Sequence, residues 1–194
     1  DFAKIQNYDC ILITGTSLAA QPSRDAVFYS LDIAKNNNIP VIMDIDYRPY
    51  TWESQHSAKE IYNKAAEKCS AIVGNDDEFA VLSGEYAQGL NYAKNLSSTL
   101  DLVIYKKGEN GSITFADGKE IQKGIFPVKP LKPTGAGDAF MGALIGALLK
   151  SYDIENSIEI GSAAAAIVVT KVGCAPAMPD TNEILDFMKN NSIN

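Results

Sequence analysis

The chain has 194 residues, of which 46% are hydrophobic and 21% charged, and it carries a net charge of −7. That length allows one domain with a substantial core, and the acidic balance leaves no basic stripe to neutralise a nucleic-acid backbone. The longest apolar run, residues 163–169, falls far short of the roughly 18 residues that a membrane-spanning helix needs, so neither nucleic acid nor membrane is an expected partner.

Asp1-Phe2-Ala3-Lys4-Ile5 reads like the middle of a helix rather than a natural start, which marks the chain as a piece of a longer protein or a processed product. Cys10-Ile11-Leu12-Ile13-Thr14-Gly15 is a continuous apolar run ending in glycine, the pattern of a strand buried on both faces. A helical pattern over 22–35 stops at Asn36-Asn37-Asn38, and a second buried strand over 41–45 leads into the polar and aromatic loop Asp46-Tyr47-Arg48-Pro49-Tyr50. The alternation continues with a helix over 57–68, a strand over 71–74, a helix opened by Asn75-Asp76-Asp77-Glu78, a helix over 86–97 and a strand over 102–105. Residues 112–115 and 120–128 read as antiparallel edge strands joined through Asp117-Gly118, a strong hairpin signal.

Two long helices, 135–149 and 154–170, follow. Their small residues, including Gly142-x-x-x-Gly146 and Ala163 to Ala166, predict close helix packing. Asp180-x-x-Glu183 predicts a capping box for a last short helix. Strand–helix alternation of this kind implies a single α/β domain over 1–194, with a mostly parallel sheet and helices on both faces. In such sheets ligands bind beyond the carboxyl ends of the strands. The polar segments 14–17, 44–48, 75–78 and 107–111 are expected there, joined by the glycine turn at 135–137 if its helix points the same way.

That turn is the most chemically specific stretch. Pro133-Thr134-Gly135-Ala136-Gly137-Asp138 leads without a break into an apolar helix. A cap-type residue and two glycines place unpaired backbone N–H groups at a helix N-terminus, where an anion is favoured. An acidic chain can hold a phosphorylated small molecule in this way, with one or two lysines and a cation sharing the charge. Asp138 is then either a stabiliser of the first turn or a base beside a phosphate in transfer. The turn is not a dinucleotide fingerprint, since Phe140 stands where a third glycine is needed, and no Gly-Lys-Ser/Thr makes it a Walker A loop. Asn75 and Glu78 have two readings: a capping box, or organisers of Mg²⁺ through water. Arg48 suits either a surface position or a bidentate clamp on a carboxylate or phosphate. Trp52, Tyr47 and Tyr50 wall a pocket or pack the loop. His56, the only histidine, is expected at the surface, and no cysteine–histidine cluster has zinc spacing. Three widely spaced cysteines imply no disulfide framework and a reducing, cytoplasmic setting.

Gly135-Ala136-Gly137-Asp138-Ala139-Phe140 resembles the C-terminal signature of the PfkB, or ribokinase-like, carbohydrate kinases, and Asn75-x-x-Glu78 resembles that family's Asn-x-x-Glu motif. Lys107-Gly108-x-x-Gly111 is similar to its nucleotide-side turn, and residues 173–179 to the loop that helps to bind adenine and a monovalent cation such as K⁺. The resemblance implies a ribokinase-like, Rossmann-type sheet and ATP-dependent phosphorylation of a sugar or sugar acid. Asp138 would be the base, and Gly135, Ala136 and Gly137 the anion hole. Lys107, Gly108, Gly111 and Asp46 would lie on the nucleotide side, Arg48 would meet substrate or nucleotide phosphates, and Asn75 and Glu78 would place Mg²⁺. Lys132-Pro133, where most members have Asp-Thr, and the 44–52 loop look like the branch acting on 5-dehydro-2-deoxygluconate in inositol catabolism, with 2-keto-3-deoxygluconate kinases the nearest alternative. The family's N-terminal signature, first strands and β lid have no counterpart in these residues. The resemblance therefore implies the ATP half of the site without most of the sugar pocket, a non-catalytic nucleotide-binding domain as the rival reading, and an open sheet edge suited to a homo-oligomer.

Overall fold

Short β-rich runs bounded by Gly, Asn and Asp become strands here, and the amphipathic stretches between them become helices. The computed structural model describes residues 2–194. Its single sheet has six strands in sequence order: β1 (Ile11–Thr14), β2 (Val41–Asp44), β3 (Ala71–Asn75), β4 (Leu102–Lys106), β5 (Ser112–Ala116) and β6 (Lys119–Lys123). The first four strands are parallel, with Thr14 opposite Asp44 and Asn75 opposite Lys106, and β5 returns antiparallel to β4. The helices are α1 (Ser23–Asn36), α2 (Gln55–Ala66), α3 (Asp76–Ser83), α4 (Gly89–Leu96), α5 (Ala136–Leu149), α6 (Ile154–Val169) and α7 (Thr181–Asn190). The fold class is α/β with a mixed, mostly parallel sheet, as the alternation implies.

The chain forms two compact units: residues up to 108 with 112–121, and residues 109–111 with 122–194. In the first, Leu31 and Ala34 of α1, Tyr62 and Ala65 of α2 and Phe79 and Leu82 of α3 share one core with Met43, Ile72 and Val103 of the strands. Each large side chain so buried contributes roughly 1.5–3 kcal/mol relative to exposure. In the second, Phe126 packs with Ala139 of α5, Ala163, Ile167 and Val168 of α6 and Ile184 of α7, and the Phe126 and Phe187 rings meet at 5.4 Å.

The Asp117-Gly118 hairpin forms as expected, and φ is positive at both residues (50° and 71°), as a type I′ turn requires. Several expectations need correction. The strand at 11–14 is not buried on both faces: it stands at the end of the sheet with one neighbour, and Leu12 is 43% exposed. The second hairpin strand ends at Lys123 rather than 128. The stretch 86–97 splits into a 3-10 turn, Tyr86–Gln88, and α4. Phe2–Asn7 is helical, as a 3-10 helix of six residues, and Asp1 lies outside the described residues.

The small residues of α5 and α6 do pack closely, with Ala163 and Ala164 buried in a cluster that includes Ala139, but Gly142 and Gly146 take no part in it. A Cβ added at Gly142 or Gly146 would meet nothing within 4 Å, whereas one at Gly161 would come within 2.9 Å of the Phe140 ring. Gly142 and Gly146 instead line an open groove of about 320 Å³ with Ala143, Tyr152 and Leu185. Finally, the box at α7 is half formed. Asp180 accepts from the Glu183 N–H at 2.9 Å, but the Glu183 carboxylate pairs with Lys171 instead of returning to the cap.

Candidate functional site

The site residues fall into two groups, one in each unit. In the first unit they gather at the carboxyl ends of β2 and β3. Asn75 ends β3 in extended conformation and caps α3: its Oδ1 accepts from the Glu78 N–H at 2.9 Å, and Glu78 Oε2 accepts from the Asn75 N–H at 2.7 Å. Both halves of the capping box are therefore present, and the structural reading of this motif is realised. Glu78 does more than cap. It is buried, and its other oxygen, Oε1, accepts from the Tyr47 N–H at 3.3 Å, reaching the loop after β2. Burial pushes its carboxyl above the usual glutamate range, opposed by the Lys106 ammonium and by the two N–H donors.

That loop holds Asp46 and Arg48. Asp46 has φ of 39°, a left-handed conformation that a residue with a Cβ rarely adopts. Its Oδ1 lies 2.5 Å from Arg48 Nη2, and Arg48 Nη1 donates to the Tyr47 carbonyl at 3.2 Å. Arg48 is exposed and close to a carboxylate of its own chain, so an incoming anion competes with Asp46 for it. Lys107 and the exposed Gly108 follow β4. Among the aromatics, Trp52 is buried against the Tyr62 ring at 5.1 Å with the Arg24 guanidinium 5.7 Å from its ring centroid, while Tyr50 is 84% exposed. Trp52 therefore packs the loop. His56 is exposed, as expected.

In the second unit the glycine turn opens α5. The cap position belongs to Gly135, at φ 91°, and not to Thr134, because the chain reverses there through a left-handed residue that only glycine adopts without strain. Space also restricts the position: a Cβ there would lie 3.2 Å from Val168. Ala136 N–H closes the turn onto the Pro133 carbonyl at 3.3 Å, which weakens it as an anion donor. Among the described residues no backbone carbonyl accepts from the Gly135, Gly137 or Asp138 N–H, so these three are the open donors of the helix start. Asp138 lies exposed in the first turn of α5. Gly111, at φ 77°, has no room for a side chain, since a Cβ would lie 2.0 Å from the Lys123 carbonyl oxygen.

Three features escaped sequence reading. The bond from Tyr47 to Glu78 spans 31 positions and has no local signature. Lys106 rather than Lys107 is the lysine whose charge bears on Glu78; strand alternation carried on from the buried run 102–105 could have singled it out. Lys132 donates to the Thr134 carbonyl at 2.7 Å and sits 3.6 Å from the Cys174 sulfur, bracing the glycine turn.

Among the described residues no group of three or more His, Cys, Asp or Glu side chains could cage a metal ion, and no helix is long and apolar enough to cross a membrane. Magnesium commonly needs no such cage, being held by one or two carboxylates, waters and substrate phosphates. Glu78, with one lone pair on each oxygen engaged, fits a contact through water better than direct ligation.

The family model described as pfkB family carbohydrate kinase matches residues 1–181. A 5-dehydro-2-deoxygluconokinase of Bacillus anthracis is 39% identical over 195 residues, covering 95% of this chain and 58% of the relative. A 5-dehydro-2-deoxygluconokinase 2 of Bacillus cereus is 38% identical over the same shares. The chain thus spans less than two thirds of the length of these relatives. Among solved structures, a Vibrio cholerae fructokinase bound to fructose, ADP and calcium has a TM-score of 0.85 at 22% identity, covering 97% of this chain and 64% of that one. A Salmonella enterica aminoimidazole riboside kinase complexed with its riboside and an ATP analog has a TM-score of 0.82 at 23% identity, covering 95% and 66%.

Proposed function

The chain belongs to the pfkB family of carbohydrate kinases, and from that premise we propose that it is the nucleotide-binding and catalytic portion of a sugar-acid kinase. The reaction is transfer of the γ-phosphoryl group of ATP to a hydroxyl of 5-dehydro-2-deoxygluconate. The observation that carries this reading is the start of α5, where three open N–H groups, a left-handed glycine and an exposed carboxylate share one turn. Phosphoryl transfer needs little covalent chemistry from the protein and depends on positioning and charge stabilisation. The Gly135, Gly137 and Asp138 N–H groups, with the dipole of α5, face the charge that grows on the transferred oxygens, and the left-handed Gly135 supplies the turn that exposes them. Asp138 takes the proton of the attacking hydroxyl.

Lys107, Gly108 and Gly111 serve the nucleotide, Asp46 sits beside them in role, and Arg48 meets the acid end of the acceptor. Glu78 and Asn75 would hold Mg²⁺ through its waters, and the ion would supply positive charge to neutralise the nucleotide phosphates. Residues 173–179 are the place for a monovalent cation such as K⁺, and the free cysteines fit a reducing cytoplasm.

The test is ADP release from MgATP with 5-dehydro-2-deoxygluconate and, in parallel, 2-keto-3-deoxygluconate as acceptors. Acceptor-dependent turnover that falls about 10²–10⁴-fold in Asp138→Asn is expected for loss of a general base. Turnover unchanged by that substitution removes Asp138 from the role.

A further inference from the structure

Neither the cap on α3 nor a contact with metal-bound water needs Glu78 Oε1 to reach Tyr47. The backbone from Ile45 to Arg48 is fixed at two points. Before the bend, the Ile45 N–H donates to the Val73 carbonyl at 2.9 Å, extending the β2–β3 ladder by one residue. After the bend, the Tyr47 N–H donates to Glu78 Oε1 at 3.3 Å. Between them Asp46 stands at φ 39°, a conformation that costs an L-residue about 1–2 kcal/mol and persists only where its surroundings hold it.

Arg48 takes its direction from this bend. Its guanidinium folds back onto Asp46 Oδ1 at 2.5 Å and onto the Tyr47 carbonyl at 3.2 Å. Beyond it, the Arg48 carbonyl accepts from the Thr51 N–H at 3.0 Å and from the Thr51 hydroxyl at 2.8 Å. Gly74 makes room for the arrangement: a Cβ there would lie 2.4 Å from Ile45 Cδ1 and 3.2 Å from Glu78 Oε2.

We propose that Glu78 is the positioning residue for Arg48: its buried carboxylate pins the Tyr47 amide, holds Asp46 in its left-handed bend and so sets where the guanidinium points. One carboxylate then ties the N-terminus of α3 to the loop that recognises the acid group of the acceptor, an assignment of Arg48 that rests on the function proposed above. A residue that only capped α3 would leave Tyr47 and Arg48 indifferent to its loss.

The experiment is amide hydrogen exchange and side-chain NMR on the ligand-free 194-residue chain, comparing Glu78→Gln, Glu78→Met and Asn75→Ala, followed by titration with D-gluconate as a sugar-acid probe. Glu78→Gln keeps an acceptor for the nearby Asn75 N–H and turns an NH₂ toward Tyr47, whereas Glu78→Met removes both acceptors. Both variants are expected to speed Tyr47 amide exchange at least tenfold and to shift the Arg48 Nε resonance, with the Ile45 amide unchanged as the internal check of the fold. Asn75→Ala, which removes the other half of the capping box, is expected to leave Tyr47 and Arg48 within twofold of the parent. Gluconate affinity is expected to fall at least fivefold in both Glu78 variants. A Tyr47 amide unmoved in Glu78→Met, or moved equally by Asn75→Ala, overturns the proposal. A parent chain that shows the Tyr47 effects yet binds no gluconate overturns the assignment of Arg48 to the acid group and leaves the pin standing.

Discussion

Gly135 carries two independent constraints, a φ of 91° and a neighbour at 3.2 Å from any added Cβ. Gly135→Ala therefore strains the turn by about 1–2 kcal/mol and misplaces the N–H groups behind it. Gly108 is different: its φ is also positive, at 56°, but a Cβ would meet nothing within 4 Å, so Gly108→Ala meets only the backbone term. Comparison of urea midpoints should place Gly135→Ala below Gly108→Ala, and the reverse order would show that Val168 yields freely. At this scale the sequence was readable wherever local chemistry decided the outcome. The glycines announced the turn, and Asn75 with Glu78 announced a box that formed in full. Glu78's second bond was not readable, because its partner is a backbone amide brought near only when β2 and β3 pair.

Helix ends and helix faces follow different logics. α7 depends on one side-chain cap, since Glu183 is drawn away to Lys171, so Asp180→Ala should cost about 1 kcal/mol without the reciprocal bond to soften it. On α5, Gly142 and Gly146 face open space. Gly142→Ala and Gly146→Ala should each raise stability by up to about 1 kcal/mol through helix propensity. On α6, Gly161→Ala should lower it by about 1–3 kcal/mol, because the new methyl group meets the Phe140 ring at 2.9 Å. Thermal or urea unfolding of the three variants reads the signs, and a Gly161→Ala protein as stable as the parent would contradict this packing. The small-residue spacing on α5 suggested close approach, but spacing alone does not say which glycine meets a neighbour. The element boundaries that moved, at 86–97 and 120–128, lie where polar residues weaken the periodic signal.

For the molecule as a whole, burial sets how stability responds to alkali. The Cys69 thiol is pushed up to about 12 by burial, and the Tyr62 phenol is raised for the same reason. Both hold their protons more tightly folded than unfolded. The Cys69 contribution is full below about pH 9 and is lost as the pH rises toward 12, and that of Tyr62 is full below about pH 10 and is lost above it. The urea midpoint should fall across that window, and less steeply in Cys69→Ala; a midpoint flat from pH 8 to 11 would contradict the burial of these groups. The α/β class and the parallel core were legible because strands and helices alternate with distinct periods. The exposure of Leu12 was not, since a hydrophobic run carries no sign of how many neighbours its strand will have.

MgATP binding by the 194-residue chain, measured by calorimetry, is the most direct test of the anion site for ATP proposed at the start of α5. Saturable one-site binding that weakens at least tenfold in Gly135→Ala and persists in Asp138→Asn, whose N–H groups are intact, is expected. Absence of binding by the parent chain, or equal affinity in Gly135→Ala, would contradict it.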